Sequence, residues 1–306
     1  MTRTQSGDVL PRLTLITVTY NAATVFDDFW ASLVAQEGAD WCLVVVDNAS
    51  TDGTADKLSA IADDARVTII FSETNTGAAE GNNIGLRLAL AQPREYVVLC
   101  NNDILFDPTT LRRLVDVKKS LPHGGVTPVL VFEDERSTAW FEMGEISTHL
   151  GVRCFHKPAN RGHNLEVYST SYAPTTFLLF DHIVIKTVGE LDSAYFAYWE
   201  DADYIWRIRS EGFGIWVDPG TTVVHKVSQS SGGHGSMYSN HQYFKNQIRF
   251  TRKHFGRAAC GYTMMMSVLR IGARAALRLD SRTLTKAKLT GLWAGVVALS
   301  RSASSG

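Results

Sequence analysis

Two adjacent carboxylates, Glu200 and Asp201, follow a segment with four aromatics in five positions, Tyr195-Phe196-Ala197-Tyr198-Trp199. Carboxylates set against apolar surface lose solvation, which lifts their pKa towards the range useful to a general base. The plainer reading makes the acids, with Asp203 beside them, caps of a helix opening near Ala202, and the aromatics core. Asp103 closes Asn101-Asn102-Asp103 behind an apolar run, Tyr96 to Cys100. An acid there could hold a divalent cation that bridges diphosphate oxygens, or simply cap the next element. His225 follows Val223-Val224 and precedes the small-residue segment Ser228 to Gly235, SQSSGGHG, which reads as a mobile loop. Metal ligation competes there with the ordinary role of a buried, satisfied imidazole.

Two more polar clusters close apolar runs. Asp47, Asn48, Ser50 and Asp52 follow Cys42 to Val46, where they could hydrogen-bond a base and a ribose. Asn75, Gly77, Gly81 and Asn82 punctuate a strand-to-helix junction that could approach a phosphate closely. This junction matches neither G-x-G-x-x-G nor G-x-x-x-x-G-K-[ST], so a Rossmann dinucleotide site and a P-loop both lose support. Asn, Asp, Ser and Gly are also ordinary turn and cap residues. With the Tyr20-Asn21 turn that follows Leu13 to Thr19, four polar strand ends within the first 103 residues are harder to assign to turns alone.

The elements that would position these residues are legible from hydrophobic runs. Strands at Leu13–Thr19, Cys42–Val46, Val67–Phe71 and Tyr96–Cys100 alternate with helical segments at about 25–36, 54–61 and 78–91. That alternation predicts an open, mostly parallel α/β sheet, which binds ligands at its carboxyl strand ends. Further on, the spacing predicts a helix over 111–119, strands over 126–132 and 152–155, a helix over 204–211 and a strand over 214–217.

The 306 residues are 45% hydrophobic and 20% charged, which excludes wholesale disorder and collagen-like repetition. No run of about 18 apolar residues predicts a membrane span, and Met1 to Pro11 lacks an apolar signal core. Four scattered cysteines without a CxxC pair fit a reduced, cytoplasmic setting. The charge is uneven. From His241 to Gly306 there are 12 Lys+Arg and one acid, Asp280, which leaves 18 Lys+Arg and 30 Asp+Glu in residues 1–240. Arg270, Arg274, Arg278 and Arg282 recur every four residues as a helical stripe, and a second amphipathic stretch runs from Lys286 to Leu299. Such helices either lie in an anionic membrane interface or pack on the body with a solvated face. No recognition motif accompanies the charge, so no nucleic-acid partner is expected.

The segments VTYN (Val18 to Asn21), VDNASTDGT (Val46 to Thr54), NTGAAEGNNIG (Asn75 to Gly85), NNDILFDP (Asn101 to Pro108), YWEDADYIWRIR (Tyr198 to Arg209) and VVHKVSQSSGG (Val223 to Gly233) together resemble inverting family-2 glycosyltransferases. KNQIRFTRKHF (Lys245 to Phe255) is similar to that family's C-terminal helix. The likeness is greatest to bacterial rhamnosyltransferases and their galactofuranosyltransferase relatives. It implies a GT-A fold, an open mixed sheet with flanking helices. The catalytic domain would span 1–240, with a nucleotide-binding half at about 12–105 and an acceptor half at about 106–240. A basic helical extension over 241–306 would follow.

The resemblance also implies roles. Thr19, Tyr20, Asn21, Asp47, Asn48, Ser50, Asp52, Asn75, Gly77, Asn82 and Asn102 would bind the nucleotide sugar, Asp47 at the pyrimidine base. Asp103 would bind Mg or Mn. Asn101 stands where the family's DxD motif has its first acid, so His225 could complete the coordination. Asp201 would deprotonate the acceptor hydroxyl, with Glu200 beside it. The QxxRW signature of processive enzymes is not found, so one or a few sugars would be added. The expected donor is dTDP-rhamnose, with a UDP-sugar for galactofuranosyl or other hexosyl transfer as the alternative. The acceptor would be a glycan or polyprenol-linked glycan at the inner face of the cell membrane. Oligomeric state stays open, a homodimer included. A nucleotidyltransferase would want a Gly-rich, Lys/Arg-bearing signature that LTLITVTYNA lacks, and a non-catalytic module would not need both Asp103 and Asp201.

Overall fold

Runs of β-branched and apolar residues build the first half of the sheet. In the computed structural model, which describes residues 10–92, 94–159, 165–226 and 236–303, β1 (Arg12–Thr19), β2 (Asp40–Asp47), β3 (Val67–Phe71) and β4 (Tyr96–Cys100) pair in parallel, in the order β3-β2-β1-β4. The loop expected over Ser228 to Gly235 lies outside the described residues. α1 (Phe26–Val34), α2 (Thr54–Ala60) and α3 (Gly77–Ala91) make the crossovers. Leu13, Leu15, Leu43, Val45, Val97 and Val98 are buried, because helices cover both faces of a parallel sheet. α3 lies hard against β1: a Cβ on Gly85 would stand 2.3 Å from Ile16 Cγ2.

Beyond β4 the sheet becomes mixed. β5 (Ile104–Phe106), α4 (Thr110–Lys119), β6 (Gly124–Phe132) and β7 (Ala139–Phe141) precede a separate hairpin, β8 (Met143–Ser147) with β9 (Arg153–Lys157). Then come β10 (Tyr168–Ser169), β11 (Phe177–Asp181), α5 (His182–Val188), α6 (Glu200–Ser210) and β12 (Gly214–His225). β11 inserts antiparallel between β4 and β6, and β12 runs parallel to β6. The strand expected over 214–217 therefore continues to His225. It shifts register between Asp218 and Thr222, where the Asp218 carboxylate accepts from Gly220 N and Thr221 Oγ1. The Pro219-Gly220 pair reads as a strand end but acts as a bulge.

The basic extension is a layer of helices, α7 (Met237–Ala276) and α8 (Arg282–Ala303). α7 reverses at Gly256, whose φ of 84° and ψ of −172° are not helical. Its second half returns along the first, so Ser267 Oγ donates to Gln247 Oε1 at 3.2 Å. α8 lies beside the first half through small residues; a Cβ on Gly291 would stand 2.4 Å from the His241 carbonyl. Ile248, Ile271 and Leu292 form the small core of this layer. The first half of α7 also packs into the main core through Phe250. The expected boundary at 240/241 thus falls within the first turn of α7.

The four-arginine stripe is not continuous, which corrects the sequence reading. Arg270 donates to the Leu150 carbonyl at 2.9 Å, and Arg274 pairs with Asp280 at 3.1 Å. Arg278 takes a positive φ in the link between helices, and Arg282 opens α8. The break has a local cause: Ser281 Oγ accepts from Leu284 N as an N-cap for the new helix. Among the described residues no helix is long and apolar enough to cross a membrane.

Candidate active site

Strand pairing brings Asp103 and His225 together. β5, which starts directly after Asp103, pairs antiparallel with the end of β12, opposing Ile104 to His225. The Lys226 N–H then bonds the Asp103 carbonyl at 2.8 Å. Asp103 Oδ1 lies 3.3 Å from His225 Nε2, out of hydrogen-bonding alignment, and that oxygen and both imidazole nitrogens are buried without a hydrogen-bond partner. Trp140 stands edge-on to the imidazole, centroids 4.5 Å apart. Burial pushes the Asp103 carboxyl up, but His225, the Asn101 side chain and its own backbone N–H outweigh it and hold the group below its ordinary range.

A buried carboxylate oxygen and imidazole without partners are donors that Mg or Mn accepts. Among the described residues no cluster of three or more His, Cys, Asp or Glu forms a complete metal cage. The remaining ligands would be substrate oxygens and water, the usual state of Mg beside phosphates. Asn102 turns its amide onto the Val18 carbonyl at 2.7 Å, which fixes the turn that carries Asp103.

The loops after β1 and β2 knit into one another. Asp47 accepts from Thr19 Oγ1 at 2.8 Å, Ser50 N at 3.0 Å and Ser50 Oγ at 2.5 Å. Asn21 adopts a positive φ, bonds Ser50 Oγ through its N–H and accepts from Thr51 N. Asp52, just ahead of α2, accepts from Thr54 N and Thr54 Oγ1, and it also takes the Ala23 N–H. Asn48 bridges to α3, donating to the Gly77 carbonyl at 3.0 Å and accepting from Thr76 Oγ1 at 3.1 Å. Asn75 Oδ1 accepts the Gly77 N–H at 2.9 Å.

Asp201 stands in the first turn of α6, which begins at Glu200 rather than near Tyr204. Trp199 caps the helix in left-handed conformation (φ 76°), and Tyr198 before it is left-handed too (φ 66°). Each such residue costs of order 1–3 kcal/mol unless its surroundings hold it. They do so from two sides. Asn246 of α7 donates to the carbonyls of Ala197 and Tyr198, both at 2.9 Å, and Trp199 packs against Phe250. On the other side the Ala78 N–H bonds the Phe196 carbonyl at 2.8 Å. Only glycine fits at position 77, because a Cβ there would sit 2.3 Å from that carbonyl oxygen.

Tyr172 OH donates to Asp201 Oδ2, and the Ala202 N–H reaches Oδ1 at 2.7 Å. Burial raises the Asp201 carboxyl above its ordinary range, although both hydrogen bonds oppose it. Glu200 is raised as well, by burial and then by the charge of Asp201, and its Oε2 is buried without a partner. Asp203 goes the other way. It is fully buried and accepts from His254 Nε2, Lys253 Nζ and Arg207 Nε, which outweigh burial and hold it at about 2. It locks α6 to α7.

A cavity of about 1170 Å³ joins these parts. Of the residues expected to bind or catalyse, Tyr20, Asn48, Asn75, Gly77, Asn82 and Asn102 line it, together with Asp103, His225, Glu200 and Asp201. Thr19, Asn21, Asp47, Ser50 and Asp52 are not in its wall. The wall also holds residues that sequence reasoning missed: Trp140, Cys154, His156 and Tyr172 from the irregular middle of the chain, and Tyr238 and Lys288 from the helical layer. Cys154 and Lys288 lie in runs that read as a strand and an amphipathic helix, but neither run carries a polar cluster at its end. For Trp140, His156, Tyr172 and Tyr238 aromatic content was the available hint.

The family model for Glycosyl transferase family 2 matches residues 14–184. An N-acetylglucosaminyl-diphospho-decaprenol L-rhamnosyltransferase of Mycobacterium tuberculosis is 24% identical over 287 residues, 85% of this chain and 91% of its own. The low-salt glycan biosynthesis hexosyltransferase Agl10 of Haloferax volcanii is 23% identical over 216 residues, 70% of this chain and 68% of its own. Among solved structures, GalNAc-T7 with UDP, GalNAc and Mn2+ is similar at a TM-score of 0.65 and 14% identity, over 92% of this chain and 54% of that chain. The mannosyltransferase PcManGT from Pyrobaculum calidifontis, in complex with GDP-Man and Mn2+, is similar at 0.58 and 17%, over 94% and 87%. These structural likenesses speak to the fold.

Proposed function

The chain belongs to glycosyl transferase family 2 and has a GT-A fold, and from that premise we propose that it moves rhamnose from dTDP-rhamnose to a hydroxyl of a polyprenol-linked glycan, with inversion. One observation carries the mechanism: Asp201, a half-buried carboxylate with a raised pKa, lines the same cavity as Asp103 and His225, whose Oδ1 and ring nitrogens have no hydrogen-bond partner. The acceptor oxygen attacks the anomeric carbon as the nucleoside diphosphate departs from the opposite face. Asp201 takes the proton from that oxygen, a contribution of roughly 10²–10⁴ in rate. Tyr172 and the Ala202 N–H keep its carboxylate aimed into the cavity.

Asp103 and His225 are the residues that would hold Mg or Mn, which supplies neutralising charge to a leaving diphosphate. Asn75, Gly77 and Asn82 at the start of α3 present polar groups and bare backbone towards the donor's phosphates. Residues 12–105 serve the nucleotide, 106–240 the acceptor, and the helical layer steadies the catalytic turn through Asn246. The rhamnosyl reading draws support from the mycobacterial relative, which matches along most of both chains.

Incubation with dTDP-rhamnose, UDP-galactofuranose, UDP-hexoses and GDP-hexoses, with Mg or Mn and a polyprenyl-diphosphate glycan, tests this reading. Nucleoside diphosphate release and a product heavier by one deoxyhexose are expected with dTDP-rhamnose. Turnover of a UDP-sugar alone would reassign the donor, and turnover of none would remove the enzymatic reading.

A further inference from the structure

Leu277 and Leu279, in the link between α7 and α8, are 70% and 60% exposed, and Trp293 on α8 is 65% exposed. Met265 and Leu269, one turn apart on the second half of α7, are exposed too. A single exposed hydrophobic residue needs no explanation, but a set on one layer does. The stretches that carry them are short of charge, with none from Ala258 to Leu269 and none from Leu289 to Ser300. The charge that borders them has one sign. Arg278 lies between the two leucines, and Arg282 and Lys286 follow, all exposed. Asp280 is the layer's one acid, and it is buried between Arg274 and Lys288.

Asp280 also ties this link to the catalytic cavity. Its partner Lys288, bonded at 2.7 Å, lines that cavity, as does Tyr238 at the start of α7. Met237 and Tyr238 are exposed, so the cavity wall formed by the layer is itself flanked by apolar side chains. Apolar protrusions among unopposed cations suit an interface of anionic headgroups over acyl chains. An acidic protein would use the cations but leave bare leucines without a partner.

We propose that the 277–281 link and the outward faces of α8 and the second half of α7 dock on an anionic phospholipid bilayer, and that docking holds the acceptor side of the cavity at the membrane surface. The second clause rests on the lipid-linked acceptor proposed above; the first does not.

Flotation of the full-length protein with vesicles of phosphatidylcholine, alone or mixed with phosphatidylglycerol, tests the docking. Recovery with the mixed vesicles at low salt is expected, falling as salt rises, with little recovery on phosphatidylcholine alone. Leu277→Asp combined with Leu279→Asp should abolish recovery, and Arg278→Gln should weaken partitioning about fivefold. Trp293→Gln, on the other helix, should also weaken it and gives a second reading if the double variant melts early. Equal recovery on both vesicle types, or undiminished recovery of the leucine and Trp293 variants, would overturn the docking. Asp201→Asn should float like the parent while losing transfer, which separates this surface from the chemistry. The leucine variant should keep transfer to a water-soluble acceptor and lose it on a vesicle-borne one; equal loss on both would overturn the second clause.

Discussion

Tyr172 OH donates to Asp201 Oδ2 while the Ala202 N–H holds Oδ1, so both oxygens of the proposed base are engaged before an acceptor arrives. The phenol favours the ionised carboxylate and opposes the burial that raises it. Tyr172→Phe should therefore raise the Asp201 pKa further. Because the base must be ionised, the acidic limb of kcat/KM against pH should move to higher pH, leaving the plateau at high pH less affected. A merely structural tyrosine would lower the whole profile and leave the limb where it was.

Asp201→Asn removes the base and keeps the shape. Transfer should fall by roughly 10²–10⁴, with nucleoside diphosphate affinity by calorimetry unchanged. Wild-type turnover in this variant would refute the assignment.

Chelation should act on binding. EDTA is expected to weaken nucleoside diphosphate affinity of the parent protein by roughly tenfold or more, about 1.4 kcal/mol. Asp103→Asn and His225→Ala should each lose part of that affinity and respond less to the chelator. Calorimetry that is blind to EDTA in the parent would remove the cation from the Asp103–His225 pair.

Asp203 sets a stability limit in acid. Its folded pKa of about 2 lies below the ordinary 3.8, so its contribution is complete above about pH 4 and is lost as pH falls towards 2. The difference corresponds to about 2–3 kcal/mol. Asp203→Ala should cost more, about 3–5 kcal/mol at neutral pH, because it leaves three buried or half-buried donors without their anion. Urea melts at several pH values would measure both; a flat acid response would count against the ion network.

Asn246→Ala removes both bonds to the left-handed turn. Stability should drop by about 1–3 kcal/mol, and kcat should fall although no cavity-lining side chain has changed. An unaltered kcat would mean that Tyr198 and Trp199 hold their backbone without it.

The strands β1, β2 and β4 were legible because burial on both faces leaves apolar runs, and the edge strand β3 because β-branched and aromatic residues fill Val67–Phe71. Asp103, Asp201 and His225 were legible because each ends or begins such an element. What sequence could not sort was which polar residues in one loop reach the cavity. Asn48 and Asp52 share a segment, yet Asp52 is drawn to the start of α2 by Thr54 and to the loop after β1 by Ala23, and Asn48 is drawn to α3 by Gly77. Tyr172 meets Asp201 only after an isolated bridge to Gly144 has placed it, a contact that leaves no period in the chain. Gly256 hid for the opposite reason. Good helix formers flank it, and an isolated glycine among them carries no signal of a reversal.

The dependence of Tyr198 and Trp199 on Asn246 has a consequence for biogenesis. A chain emerging from the ribosome can complete its sheet with β12 while Asn246 is still unmade or unfolded. Until that asparagine arrives, the turn of Tyr198 and Trp199 has the Ala78 bond to the Phe196 carbonyl but lacks both bonds from α7. On the proposed function, competence is expected late in synthesis, and a fragment halted upstream is expected to bind donor without consuming it.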